Sequence, residues 1–83
     1  MDIKVPGSGC ANCERLYGET EKALTLLGMT APITKVEKFE EIAAYKVMMT
    51  PALVINREVK AAGRVPNATE ITTWLATAAM EEK

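Results

Sequence analysis

Cys10 and Cys13, separated by Ala11 and Asn12, are the only cysteines of this sequence and its residues best suited to covalent chemistry. A disulfide across two intervening residues closes almost no loop and constrains the unfolded chain little, so a structural staple explains the pair poorly. Thiol–disulfide exchange explains it better. Pro6, Gly7, Ser8 and Gly9 read as a loop, and the apolar residues that follow recur at helical spacing, which puts Cys10 at a helix N-terminus. Unpaired backbone N–H groups and the helix dipole favour negative charge there, so a thiol loses its proton more easily and becomes more nucleophilic. Cys13, one turn further in, is expected to be buried and to attack a mixed disulfide formed at Cys10. Gly7 and Gly9 are expected to leave Cys10 open to another protein.

Two other readings use the same side chains. The cysteines also fit an inert pair in a core, or half of a metal site. Zinc normally takes four ligands, and the chain has no histidine and no third cysteine. A site shared by two chains, or a two-coordinate soft ion such as Cu(I), would meet that objection. Glu14 and Arg15 read as solvated helix-face charges, with Arg15 near enough to assist a thiolate. Met48 and Met49 read as fillers of core gaps, and Trp74 as an apolar anchor.

Other segments must position this pair. Asp2–Val5 reads as a first strand, with Ile3 and Val5 on one side. From Ala11 to Leu27, Cys13, Leu16, Tyr17, Ala23, Leu24 and Leu27 mark one helical face, and Gly28 can end the helix in the left-handed conformation. Ala31–Glu37 reads as a second strand and Phe39–Tyr45 as a short helix with Phe39, Ile42 and Ala43 on one face. Ala52–Ile55 is four apolar residues in a row, expected of a strand covered on both sides. Asn56 and Arg57 fall where a two-residue turn belongs, with Glu58–Ala62 as the return strand. Asn67 and Glu70 resemble a capping box. Ile71, Trp74, Leu75, Ala78 and Ala79 then form the stripe of a last helix. The order β-α-β-α-β-β-α predicts an α/β fold with a four-stranded mixed sheet between helices.

A chain of 83 residues, 48% of them hydrophobic and 25% charged, fits one globular domain over 1–83. The net charge of −1 comes with no basic stripe, which argues against nucleic-acid binding. No apolar run approaches the roughly 20 residues that cross a bilayer. The opening MDIKVPG lacks the apolar region of a signal peptide, so a cytoplasmic setting is expected, where thiols are kept reduced.

The stretches Gly7–Cys13 (GSGCANC), Met48–Asn56 (MMTPALVIN) and Gly63–Ile71 (GRVPNATEI), in this order and separation, resemble the small thioredoxin-like family of redox-active disulfide proteins. The resemblance covers nearly the whole chain. It implies sheet order 2-1-3-4 with the fourth strand at an edge, and a cis proline before the third strand facing the cysteines. Thr50-Pro51 falls in that place. There the Thr50 backbone would pair with an extended substrate peptide beside Cys10 and Gly9. Pro51 also fits an ordinary proline at the start of a strand. The resemblance also implies thiol–disulfide oxidoreductase activity of the Cys10/Cys13 pair on a protein partner, with an unidentified reductase, no cofactor and a monomeric chain. Gly9 stands where ordinary thioredoxins have tryptophan, and Ala11-Asn12 replaces their Gly-Pro. No strand residue stands out as a buried acid, and the glutathione-binding residues of glutaredoxins are not recognisable.

Two competing functions remain open. A cysteine pair at a loop-to-helix junction also marks small copper chaperones, but those follow a β-α-β-β-α-β order. Here the chain ends in a helix, and Ser8 stands where they carry methionine. The third reading is a redox-sensing module whose disulfide switches a binding partner.

Overall fold

A computed structural model describes residues 1–7, 11–45 and 49–81. The chain runs β1 (Ile3–Pro6), α1 (Ala11–Leu26), β2 (Ile33–Val36), α2 (Phe39–Ala44), β3 (Ala52–Ile55), β4 (Glu58–Ala62) and α3 (Ala68–Glu81). The four strands form one sheet in the order β2-β1-β3-β4. β1 and β2 are parallel, while β3 is antiparallel to both β1 and β4. This is the thioredoxin-like α/β fold with a mixed sheet flanked by helices.

Alternation along the strands divides the sheet into two faces. Ile3 and Val5 of β1 with Leu53 and Ile55 of β3 meet Leu16, Ala23 and Leu24 of α1 and Ile71, Leu75 and Ala78 of α3. On the other face, Lys4, Thr34 and Val36 share a groove with Glu41 and Ala44 of α2 and with Tyr45 just beyond it. β3 is interior to the sheet and covered on both sides, so all four of its residues are buried.

Pro6 belongs to β1 and pairs with Val36, although the sequence reads it as a strand breaker. The alternation explains this. Gly7 donates its N–H to Val36 O at 2.9 Å, so the nitrogen of Pro6 faces the β3 side. Pairing with β3 has already stopped at Lys4–Val54, and no ladder bond needs the missing donor.

α1 carries an unexpected polar residue in its core stripe. Thr20 is fully buried and its hydroxyl donates to Leu16 O at 2.8 Å, which satisfies the group locally. Leu27, expected on that stripe, lies past the helix end and is 37% exposed. Gly28 at φ +64 ends the helix, with Gly28 N–H on Thr25 O and Met29 N–H on Leu24 O. Those two bonds are a Schellman cap.

The β3–β4 connection is a two-residue turn with Asn56 at φ 49 and Arg57 at φ 70. Both central residues are left-handed, as a type I′ hairpin requires. Asn56 is also held to the start of β1, accepting from Asp2 N–H at 2.9 Å and donating its own N–H to Asp2 O at 2.7 Å. Further along, Leu53 pairs with Ala61 and Val54 with Val59, which leaves Lys60 as the extra residue of a β-bulge in β4.

α3 opens with the capping box read from the sequence. Glu70 N–H donates to Asn67 Oδ1 at 2.9 Å, and Asn67 N–H donates to Glu70 Oε1 at 3.4 Å. Ile71, Leu75 and Ala78 are buried, whereas Ala79 is exposed, as is Ala43 on α2. No helix of the described residues is long and apolar enough to cross a membrane.

Candidate functional site

The C-terminal end of β1 meets the first turn of α1 and the entry to β3. Cys13 is the third residue of α1 and is 8% exposed. Its neighbours Ala11, Asn12, Glu14 and Arg15 are exposed, so the helix turns only its cysteine face inward here. Cys10 and Gly9 lie outside the described residues, as do Ser8 and Met48. No described cysteine has a free thiol.

Gly7 brings the parts of the site together. It is buried at the end of β1, and its backbone has φ +153. A Cβ built there would run into Cys13 Sγ, and would lie 3.5 Å from Cys13 Cβ and 3.8 Å from Pro51 Cα. Gly7 therefore sits between Cys13 and Pro51, and its missing side chain makes the room that the Cys13 sulfur occupies. The structure sets this glycine, expected to leave Cys10 open, against Cys13.

The Thr50–Pro51 peptide bond is cis. Pro51 is buried with its Cα beside Gly7, and the preceding Thr50 is exposed. Pro51 O accepts the N–H of Gly63 at 2.9 Å. Gly63 has φ +76, and a Cβ there would lie 3.0 Å from Met49 Cε and 3.1 Å from Met49 Cβ. Met49 is 62% exposed, which corrects its reading as a core filler. It covers Gly63 and forms an apolar rim adjoining Thr50. Sequence reasoning missed this contact. The signal available was Gly63 itself, a glycine directly after a strand and three residues before Pro66.

Among the described residues, charges stand around the site rather than in it. Lys35 Nζ lies 3.1 Å from Glu14 Oε1 and 4.9 Å from the centre of the Tyr17 ring, tying β2 to the start of α1. Hydrogen bonding to Glu14, with its charge, raises the Lys35 ammonium above its usual value. Glu14 is thus exposed but partnered. The guanidinium of Arg64 reaches both carboxylate oxygens of Glu70 at 3.3 and 2.9 Å and lies 5.9 Å from the Trp74 ring. Trp74 is half-buried at the margin of the core, so it anchors α3 while Arg64 lies over its ring.

Among the described residues Thr20 is the only buried polar side chain, so no buried carboxylate stands behind Cys13. Nor do three His, Cys, Asp or Glu side chains of the described residues converge as a metal site.

Residues 1–76 match the thioredoxin domain family, and the chain belongs to it. It is 34% identical over 71 residues to a thioredoxin of Methanothermobacter thermautotrophicus, covering 86% of this chain and 92% of that one. It is also 35% identical over 69 residues to a thioredoxin of Methanocaldococcus jannaschii, covering 83% of this chain and 79% of that one. Membership suggests a thiol–disulfide function and is consistent with oxidoreductase activity.

Proposed function

We propose that residues 1–83 form one thioredoxin-like domain that exchanges a Cys10/Cys13 dithiol or disulfide with a protein partner. The observation that carries this reading is Cys13, buried in the first turn of α1 and set across Gly7 from the Thr50–Pro51 edge. Cys10 precedes Ala11, the first residue of α1, where orphan N–H groups stabilise a thiolate. The Cys10 thiolate attacks one sulfur of a substrate disulfide, forms a mixed disulfide and expels the other sulfur as a thiolate, which takes a proton from water. Cys13 then loses its proton, attacks Cys10 Sγ and expels the second substrate thiolate. The substrate gains two electrons and two protons, and the cysteine pair gives them up. A separate reductase restores the dithiol. Gly9, the Thr50 backbone and Pro51 receive the substrate as a short extended strand.

The domain acts as a monomer in a reducing, cytoplasmic setting and needs no cofactor. Trapping tests the assignment. Cys13→Ser should accumulate mixed disulfides with partner proteins, and Cys10→Ser should accumulate none, by mass spectrometry of non-reduced samples. Trapping by Cys10→Ser alone would reverse the two roles, and trapping by neither would remove the exchange reaction.

A further inference from the structure

We propose that Gly7 sets the redox balance of the cysteine pair, because the space of its absent side chain is the space that the oxidised Cys13 sulfur needs. The inference rests on the exchange reaction proposed above. Cys13 has no free thiol and is disulfide-bonded, so its sulfur stands where the oxidised pair holds it. A Cβ at Gly7 would run into that sulfur.

Neither side of the contact has an easy retreat. Gly7 is pinned by its N–H bond to Val36 O at 2.9 Å, which extends the β1–β2 ladder past the strand end. Behind it, Pro51 Cα stands 3.8 Å from the place of the new carbon. Cys13 is fixed by α1, and its side chain is buried. In the disulfide, Sγ is also tethered to a second sulfur and has one place to be. In the dithiol the tether is gone, and Cys13 can turn about χ1 away from Gly7. A methyl group at position 7 therefore opposes the oxidised form more than the reduced form. Gly7 is a positioning residue: it acts through Cys13 and touches no substrate.

Equilibration with glutathione reads this directly. Two glutathione thiols become one glutathione disulfide, and their two electrons and two protons reduce the cysteine pair. In Gly7→Ala the equilibrium should shift at least tenfold toward the dithiol, about 30 mV less negative in potential. A shift of under twofold, or toward the disulfide, overturns the proposal.

The strained backbone at φ +153 disfavours alanine in both redox states, so stability is measured as a cycle. Cys13→Ala removes the sulfur and leaves only a 3.5 Å carbon–carbon contact with the new Cβ, an ordinary packing distance. Gly7→Ala should then cost less in the Cys13→Ala background than in the oxidised wild type. Equal costs overturn the proposal. If Gly7→Ala alone does not fold when oxidised, refolding on reduction or in Gly7→Ala/Cys13→Ala supports it, and failure in both overturns it. A wild-type pair that never equilibrates with glutathione counts against the exchange reaction, while the stability cycle still decides the Gly7–Cys13 contact.

Discussion

Gly63 donates its backbone N–H to the carbonyl oxygen of Pro51 at 2.9 Å, one step beyond the Ala52–Ala62 pair that ends the β3–β4 ladder. The bond carries the hairpin's register into the loops on both sides. It holds the left-handed Gly63 under Met49, and so ties the chain after β4 to the residues beside Thr50.

Gly63→Ala should therefore act on both fold and site. The φ of +76 disfavours alanine by about 1–2 kcal/mol. A new Cβ would also lie 3.1 Å from Met49 Cβ, an atom that no rotamer change can move away. Chemical denaturation should show a loss of that order or more. Exchange with a peptide disulfide should fall further than exchange with glutathione disulfide, because the displaced backbone adjoins Thr50.

Arg57→Gly should stabilise the protein. Arg57 has φ 70 at the second position of the hairpin turn, where glycine has no steric penalty. The greater freedom of glycine in the unfolded chain offsets part of the gain, leaving an increase of roughly 0.5–1 kcal/mol. A lower denaturation midpoint for Arg57→Gly would show that this arginine contributes more than its conformation costs.

Asn67→Ala removes the cap of α3 and should cost about 1 kcal/mol, or roughly 4–8 °C in Tm for a domain of this size. Glu70 adds a pH dependence. Its carboxyl is held below the usual value by hydrogen bonding to Arg64 and then to the Asn67 backbone. The stabilisation is complete above the unfolded-state pKa of Glu, and it fades as pH falls through the lowered native value. Glu70→Gln should accordingly be less stable than wild type at pH 7, with the gap closing in acid. Urea midpoints for the two proteins across that range are the check.

The isolated, reduced protein should not bind zinc tightly at one ion per chain. The cysteine pair offers two soft ligands, and closing a tetrahedral shell needs more. Titration under reducing conditions tests this, and a stoichiometric site that survives chelator competition would favour the carrier reading.

What was legible in the sequence was what local chemistry determines. Ala52–Ile55 announces a strand covered on both faces by four apolar residues, and Asn67 with Glu70 announces the start of α3. Both arise where the sequence puts them. Thr20 was hidden because a hydroxyl reads as solvent-facing until its bond to Leu16 O is seen. Pro6 resembles a strand breaker until the sheet order shows that its nitrogen faces no ladder. At the site, the cysteine spacing and Thr50-Pro51 stand out in the sequence. Gly7 against Cys13 and Met49 over Gly63 join residues distant along the chain, and no local pattern encodes them.

The bulge at Lys60 has a consequence for life in a crowded solution. An outermost strand with a full row of unpaired N–H and C=O groups invites a neighbouring molecule to zip onto it. β4 interrupts that row with an extra residue and carries the Glu58–Lys60 ion pair at 2.7 Å alongside it. The opposite margin, β2, is only four residues long, follows Pro32 and bears Lys35. Both margins of the sheet thus discourage copies of the chain from assembling edge to edge into fibrils.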